Sequence, residues 1–157
     1  MREFRFAAFM ADATTPAPRT PWHLWLIGVI YLLWSAAGAF DFVMTETHNA
    51  AYVKNFTSAQ RDYFYGFPGW VVAAWAVATL GGVFGSLLLL ARKCLAVPFF
   101  LAAFVAMILT TIYNFGLSDG RKIMGGVGPL VFSCIIVVAG FLVWYYARSM
   151  RRRGVLR

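Results

Sequence analysis

Four long apolar runs, separated by polar connections, divide the chain. They cover residues 22–42, 67–90, 95–116 and 124–147, and each is 21 to 24 residues long. About 20 apolar residues in a helix cross the roughly 30 Å of hydrocarbon in a bilayer. Pro68, Pro98 and Pro129 fall near the starts of runs, where a missing N–H leaves no helical hydrogen bond unmade. The pattern therefore predicts an all-α integral membrane protein built as a four-transmembrane-helix bundle.

The composition argues against a soluble domain with an apolar core. Of 157 residues, 61% are hydrophobic and 13% are charged, and the mean hydropathy is +0.70. Soluble domains are about half apolar and about a quarter charged. So few charges cannot cover so much apolar surface in so short a chain. We therefore expect the lipid bilayer to contact most of the outer surface.

The basic residues are distributed unevenly between the two sides of the predicted bundle. Of the 14 Lys and Arg residues, ten lie before the first run, between the second and third runs, or after the fourth. The positive-inside rule therefore predicts that both termini are cytoplasmic. The formal net charge of +8 could indicate nucleic acid, but no solvated domain is present to form a basic patch, so no nucleic-acid partner is expected.

Three segments follow from this organisation. Residues 1–21 are predicted to be a flexible cytoplasmic tail, 22–147 a single transmembrane domain, and 148–157 a basic cytoplasmic tail that contacts anionic lipid headgroups. No leader-like apolar segment precedes the first run, so we expect the first span to be an uncleaved anchor.

The first external loop, about residues 43–66, carries the signal for a short helix. Thr57 and Gln60 have the spacing of a capping box, and the aromatic residues Tyr63, Phe64 and Tyr65 follow. This pattern predicts an interfacial helix on the outer leaflet, with its aromatic side chains at headgroup depth.

Small residues in the second run are predicted to allow close helix packing. They are Gly81, Gly82, Gly85 and Ser86, of which Gly81 and Gly85 form a Gly-x-x-x-Gly pair. The pair is weak evidence for dimerisation, because a four-helix bundle needs such contacts within itself.

Polar and aromatic residues in the outer third of the spans are the candidates for a binding site. An acid, an amide, hydroxyl groups and aromatic faces could line an outward-opening pocket for a polyol or a cation. The candidate ligand-binding residues are Asp41, His48, Trp70, Thr110, Tyr113 and Asn114. The alternative, which we favour at this point, is that Asp41 lies at the interface in a salt bridge with Lys54 or Arg61.

No reaction is predicted. His48, Glu46 and Asp41 form a poor set of metal ligands because no second histidine accompanies them. Neither histidine lies near a candidate serine or cysteine nucleophile in the sequence. We therefore expect a protein that is not an enzyme and that has no metal and no cofactor.

Five segments carry a resemblance to a known family. They are residues 21–25 (PWHLW), 38–45 (GAFDFVMT), 65–70 (YGFPGW), 85–90 (GSLLLL) and 152–157 (RRGVLR). In these segments the chain resembles a family of small bacterial four-span membrane proteins, which are labelled hypothetical or "sugar transporter". The resemblance implies the four-span fold and a multi-pass location in the bacterial inner membrane, and its label suggests sugar transport. It implies no functional residue.

Two functions remain open from the sequence. The first is transport or binding of a small solute, with a sugar as one candidate, by a homo-oligomer, since four helices barely enclose a hydrophilic path. The second is a non-catalytic accessory or structural subunit of a larger membrane complex. A face of small residues, such as Gly81 and Gly85, covered by another chain would favour the second.

Overall fold

The computed structural model describes residues 19–157, and every regular element within that range is helical. The α-helices are α1 Trp22–Glu46, α2 Ala50–Val53, α3 Ser58–Tyr65, α4 Gly69–Leu90, α5 Ala96–Ile112, α6 Gly120–Ile123 and α7 Val127–Arg152. A π-helical turn, Tyr113–Leu117, continues α5. Four helices are long and apolar enough to cross a membrane: α1, α4, α5 with its π-turn, and α7. They are called the first to fourth spans below, and they confirm the predicted all-α, four-span membrane bundle.

The burial of the spans is that of a multi-pass membrane protein. The fourth span has the highest mean hydropathy, 2.4, and yet only 11% of its most apolar window is buried within the protein. Large apolar side chains on every span are exposed, among them Leu33, Val77, Leu109 and Val138. Because water would penalise this much exposed apolar surface, it must face hydrocarbon.

Both described ends of the chain lie at the same end of the bundle. The Arg92 guanidinium donates a hydrogen bond to the hydroxyl of Thr20, and the Arg157 N–H donates to the carbonyl of Arg92 at 2.8 Å. This is called the termini end; the opposite end, which carries α2, α3 and α6, is called the loop end. Which of the two faces the cytoplasm stays a prediction from the charge distribution. Of the predicted tail 1–21, residues 1–18 lie outside the described part of the chain.

The C-terminal segment differs from the predicted tail of residues 148–157. The fourth span continues to Arg152 instead of ending at 147, and Gly154, at φ +71°, then reverses the chain. Val155 and Leu156 are buried, at 7% and 3% exposure, and Arg157 accepts a hydrogen bond from the Cys94 N–H at 2.9 Å. The prediction missed this because two apolar residues among arginines form too short a signal. The last residues therefore fasten the turn between the second and third spans.

The first span also runs past its predicted end, to Glu46 instead of residue 42. It ends in a Schellman arrangement, in which the His48 N–H donates to the Thr45 carbonyl at 3.0 Å and the Asn49 N–H donates to the Met44 carbonyl at 3.1 Å. His48 takes the left-handed conformation, φ +54°, that this ending requires. The span is thus ended by a backbone motif, not by a loss of hydrophobicity.

Close packing between neighbouring spans depends on the small residues of the second span. Gly81 and Gly85 face the third span, where a Cβ on Gly85 would lie 2.7 Å from Cδ1 of Phe100. Gly82 faces the first span, and Ser86, fully buried, donates a hydrogen bond to the Gly82 carbonyl at 2.8 Å. The Gly-x-x-x-Gly face is therefore filled within this chain.

The two ends of the bundle are packed differently. The main core lies at the termini end, around Leu24, Leu89, Phe100, Val143 and Met150. The second hydrophobic cluster, nearer the loop end, is small and consists of three buried alanines with one partly buried methionine beside them. The buried residues of the fourth span all lie at or beyond position 140, so its loop-end half packs less closely against the other spans.

The short helix α3 confirms the predicted capping box. The Thr57 hydroxyl accepts a hydrogen bond from the Gln60 N–H at 3.2 Å, and the Gln60 side chain accepts one from the Thr57 N–H at 3.0 Å. Phe64 lies against Phe67 and Trp75 at ring distances of 5.5 and 6.1 Å. Part of the aromatic face of α3 therefore covers the loop end of the bundle.

Candidate functional site

A cavity occupies the loop-end half of the bundle, on the side where the fourth span packs less closely against the other spans. Its volume is about 480 Å³. Along the first span it extends from Trp34 to Asp41, a rise of about 10 Å along the helix axis. The residues that line it come from all four spans and from the α3 region: Trp34, Ser35, Ala37, Gly38, Asp41, Phe64, Phe67, Trp75, Ala78, Thr79, Met107, Thr110, Thr111, Asn114, Phe132, Ser133 and Ile136.

Asp41 is the carboxylate of this cavity, and its partner is a tyrosine. The Tyr52 hydroxyl, from α2, donates a hydrogen bond of 2.5 Å to Oδ1 of Asp41. This bond, with burial and the negative charge of the carboxylate, raises the pKa of Tyr52 to about 12. The predicted salt bridge of Asp41 with Lys54 or Arg61 is wrong, since within residues 19–157 the one Lys or Arg ion pair joins Lys122 to Asp119. The short helix α2 follows the first span closely enough to bring a neutral donor to Asp41 instead.

Three threonines line the cavity with their hydroxyl protons already engaged. Thr79 donates to the Trp75 carbonyl at 3.1 Å, and Thr110 and Thr111 donate to the Met107 carbonyl at 3.0 and 2.8 Å. Each hydroxyl therefore bonds the backbone of its own helix, as threonine often does in membrane spans. What these hydroxyls retain is oxygen lone pairs, which accept hydrogen bonds.

Asn114 connects the cavity to α3 and to the π-helical turn. The Tyr63 hydroxyl, from α3, lies 2.7 Å from the side-chain oxygen of Asn114 and 2.6 Å from the hydroxyl of Ser118. Burial raises the pKa of Tyr63, although the bond to Ser118 lowers it in part. Ser118 also donates to the Tyr113 carbonyl at 2.8 Å, within the irregular turn. π-Helical turns are rare and are frequent at functional sites, and this one places Asn114 at the loop end of the cavity.

The structure brings together only half of the predicted binding residues. Asp41, Thr110 and Asn114 line the cavity, whereas His48, Trp70 and Tyr113 lie outside it.

The three outside residues serve local packing at the loop end. His48 ends the first span and stacks on Tyr65 at a ring distance of 3.9 Å. Trp70 is half exposed and packs edge-on against Tyr113 at 5.5 Å. Their positions along the predicted spans place all three at the loop end, but those positions do not indicate the direction in which each side chain points.

The aromatic wall of the cavity was absent from the predicted site. Trp34 and Phe132 lie 5.9 Å apart between the first and fourth spans, and both are substantially exposed. Phe64, Phe67 and Trp75 close the loop end. The sequence gives a partial signal for three other cavity residues, because Ser35, Thr79 and Ser133 are polar side chains within otherwise apolar spans.

No metal site accompanies the cavity. Across residues 19–157, no three His, Cys, Asp or Glu side chains are grouped so that they could hold a metal ion.

These features define the class of protein: a four-span α-helical membrane protein with a partly open cavity, which the described residues line mostly with aromatic and apolar side chains and with one carboxylate. In comparisons with family models, curated proteins and solved structures, nothing matches the chain. The resemblance to small bacterial four-span proteins therefore stays a prediction.

Proposed function

We propose that this protein binds a small solute in the loop-end cavity, as the solute site of a transport or uptake function in a bacterial inner membrane. The observation that carries the proposal is the cavity itself. Its volume of about 480 Å³ lies within the roughly 300–1,000 Å³ typical of small-molecule sites. It also resembles such sites in its lining, which is mainly apolar and aromatic with a few polar groups.

The arrangement of the polar groups supports binding more than simple helix packing. Polar side chains at membrane depth are costly and are functional by default. Here Asp41 from the first span, Thr79 from the second and Asn114 from the third all line one space. Groups that only join spans would be expected to bond from one span to another, whereas Thr79 bonds its own helix, and Asp41 and Asn114 bond tyrosines of the short helices α2 and α3.

The fourth span supports a route for the solute. Between Val127 and Ala139 it contains no buried residue, and Gly125 and Gly126 precede it with φ of +89° and +95°. It is therefore the cavity wall that can move with the least loss of packing. If the termini end is cytoplasmic, as the excess of basic residues there predicts, the cavity lies toward the outer face.

The alternative function, an accessory subunit of a larger complex, gains no support from the small-residue face. Gly81 and Gly85 are covered by the third span of the same chain. Covering by another chain was the feature that would have favoured this alternative.

Variants of the cavity test the proposal. The chain would be reconstituted in lipid nanodiscs and its thermal stabilisation measured with sugars, other polyols and small cations, the solute classes that the lining admits. At least one solute should stabilise the protein, and Asp41→Asn or Asn114→Ala should reduce that shift and the uptake into proteoliposomes. Asp62→Asn is the matched control, because Asp62 is an exposed acid of α3 outside the cavity. If both cavity variants retain full solute response, the cavity is not the site.

A further inference from the structure

We infer that the solute taken by this cavity is an organic monovalent cation, such as a quaternary ammonium or a protonated amine. The inference rests on the proposed function and names the class of solute. Two properties of the lining lead to it: the carboxylate without a basic partner and the aromatic wall.

The carboxyl group of the cavity has no basic partner among the lining residues. Asp41 lines the cavity, and the described lining residues include no Lys, Arg or His. Within residues 19–157 its one side-chain hydrogen bond comes from a neutral donor, Tyr52, and occupies one of about four acceptor positions of a carboxylate. A carboxylate at the edge of a hydrocarbon-embedded bundle is costly unless a cation accompanies it. A cationic solute would supply the missing charge.

The three threonine hydroxyls of the cavity offer acceptors more than donors. The protons of Thr79, Thr110 and Thr111 are directed to backbone carbonyls of their own helices. A sugar hydroxyl both donates and accepts, so it needs donors from its site as well as acceptors. An ammonium group only donates or, if quaternary, needs no hydrogen bond at all. These three hydroxyls therefore suit a donating ammonium group, whereas Ser35, Ser133 and the side-chain amide of Asn114, in the same lining, can also donate to a solute.

The aromatic residues make the site suitable for an organic cation and unsuitable for a bare metal ion. Five aromatic side chains surround the space: Trp34, Phe64, Phe67, Trp75 and Phe132. The faces of aromatic rings attract ammonium groups, and aromatic cages bind quaternary ammonium ligands. Divalent metal ions instead favour sites with several charged ligands, and within residues 19–157 no three His, Cys, Asp or Glu side chains are grouped to provide them.

A pair of probes that differ only in charge tests the inference. Phenyltrimethylammonium and tert-butylbenzene have nearly the same shape, because a quaternary nitrogen in one replaces a carbon in the other. Binding of each probe, and of glucose, would be measured by calorimetry with the full chain in nanodiscs of zwitterionic lipid. Zwitterionic lipid limits adsorption of the cation to the membrane itself. Empty nanodiscs give the background.

We expect the cation to bind at least about tenfold more tightly than its neutral isostere. Asp41→Asn should weaken binding of the cation by at least about tenfold, whereas Asp62→Asn should change its affinity by less than about twofold. Phe132→Leu removes one exposed ring of the aromatic wall and should weaken binding of the cation by about two- to fivefold. If Asp41→Asn fails to fold, the probe pair and Phe132→Leu still decide the question.

The outcomes separate this inference from the proposed function. If glucose or the neutral isostere binds as tightly as the cation, in a manner sensitive to Asn114→Ala, the solute site stands and the cation inference is overturned. Equal cation binding by the wild type, Asp41→Asn and Phe132→Leu would also overturn it. If none of the three probes binds above background, the cation inference falls, and the wider solute panel then decides the proposed function.

Discussion

Replacing Gly85 with alanine adds one methyl group at a closely packed point between the second and third spans. A Cβ at this position would lie 2.7, 2.8 and 3.2 Å from Cδ1, Cε1 and Cγ of Phe100. Carbon atoms pack best at about 3.5–4.0 Å, so the ring would have to move by nearly 1 Å. Phe100 is 1% exposed and meets Tyr31 edge-on at 5.6 Å, which leaves little room for such a movement.

The magnitude follows from two opposing effects. Overpacking a filled core costs about 1–3 kcal/mol. Alanine recovers up to about 1 kcal/mol through its better helix propensity. We therefore expect Gly85→Ala to lower the free energy of unfolding by about 1–2 kcal/mol. Gly128→Ala is the matched control, because a Cβ at Gly128 meets nothing within 4 Å, and it should be neutral or stabilising.

The assay is reversible unfolding in mixed micelles, with a denaturing detergent as the variable and tryptophan fluorescence as the signal. A double-mutant cycle with Phe100→Leu isolates the clash, because the smaller side chain should remove most of the cost of Gly85→Ala. The reasoning would be refuted if Gly85→Ala were as stable as Gly128→Ala, or if its cost were the same in both backgrounds.

Three further predictions concern the ends of the bundle. The pKa of Tyr52 is raised from 10.0 to about 12, so the stability that its hydrogen bond contributes is present below pH 10 and is lost as the pH rises through 12. Ultraviolet titration should show one tyrosine that ionises at this high pH, and Tyr52→Phe should remove that step. Leu156→Ala should cost about 2 kcal/mol or more in thermal unfolding because the side chain is 3% exposed, whereas exposed Arg152→Ala should change stability by less than about 0.5 kcal/mol; equal effects would contradict the docked C-terminus. Thr57→Ala should cost α3 about 1 kcal/mol, seen as faster amide exchange at Gln60, and unchanged exchange would argue against the capping box.

The number of spans and the short helix α3 follow from the sequence because both depend on neighbouring residues. A helix crosses hydrocarbon according to the hydropathy of its own 20 or so residues, and a capping box joins positions three apart. The ends of the spans were less certain. Hydropathy could not reveal that His48 adopts a left-handed cap, or that Gly154 turns Val155 and Leu156 back into the bundle.

The candidate site required the tertiary structure, because its contacts join residues far apart in the chain. Their positions along the predicted spans place Asp41 and Asn114 near one end of the bundle. Their hydrogen-bond partners, however, depend on how α2 and α3 fold over that end. Tyr63 reaches Asn114 across 51 positions, and Tyr52 reaches Asp41 from a helix of four residues.

The cavity exists because the fourth span packs closely only in its second half, where Gly140 allows contact with the third span. The sequence thus determined which segments enter the membrane, since that depends on the solvation of each segment alone. Only the packing of the four spans decided which polar side chains share one space.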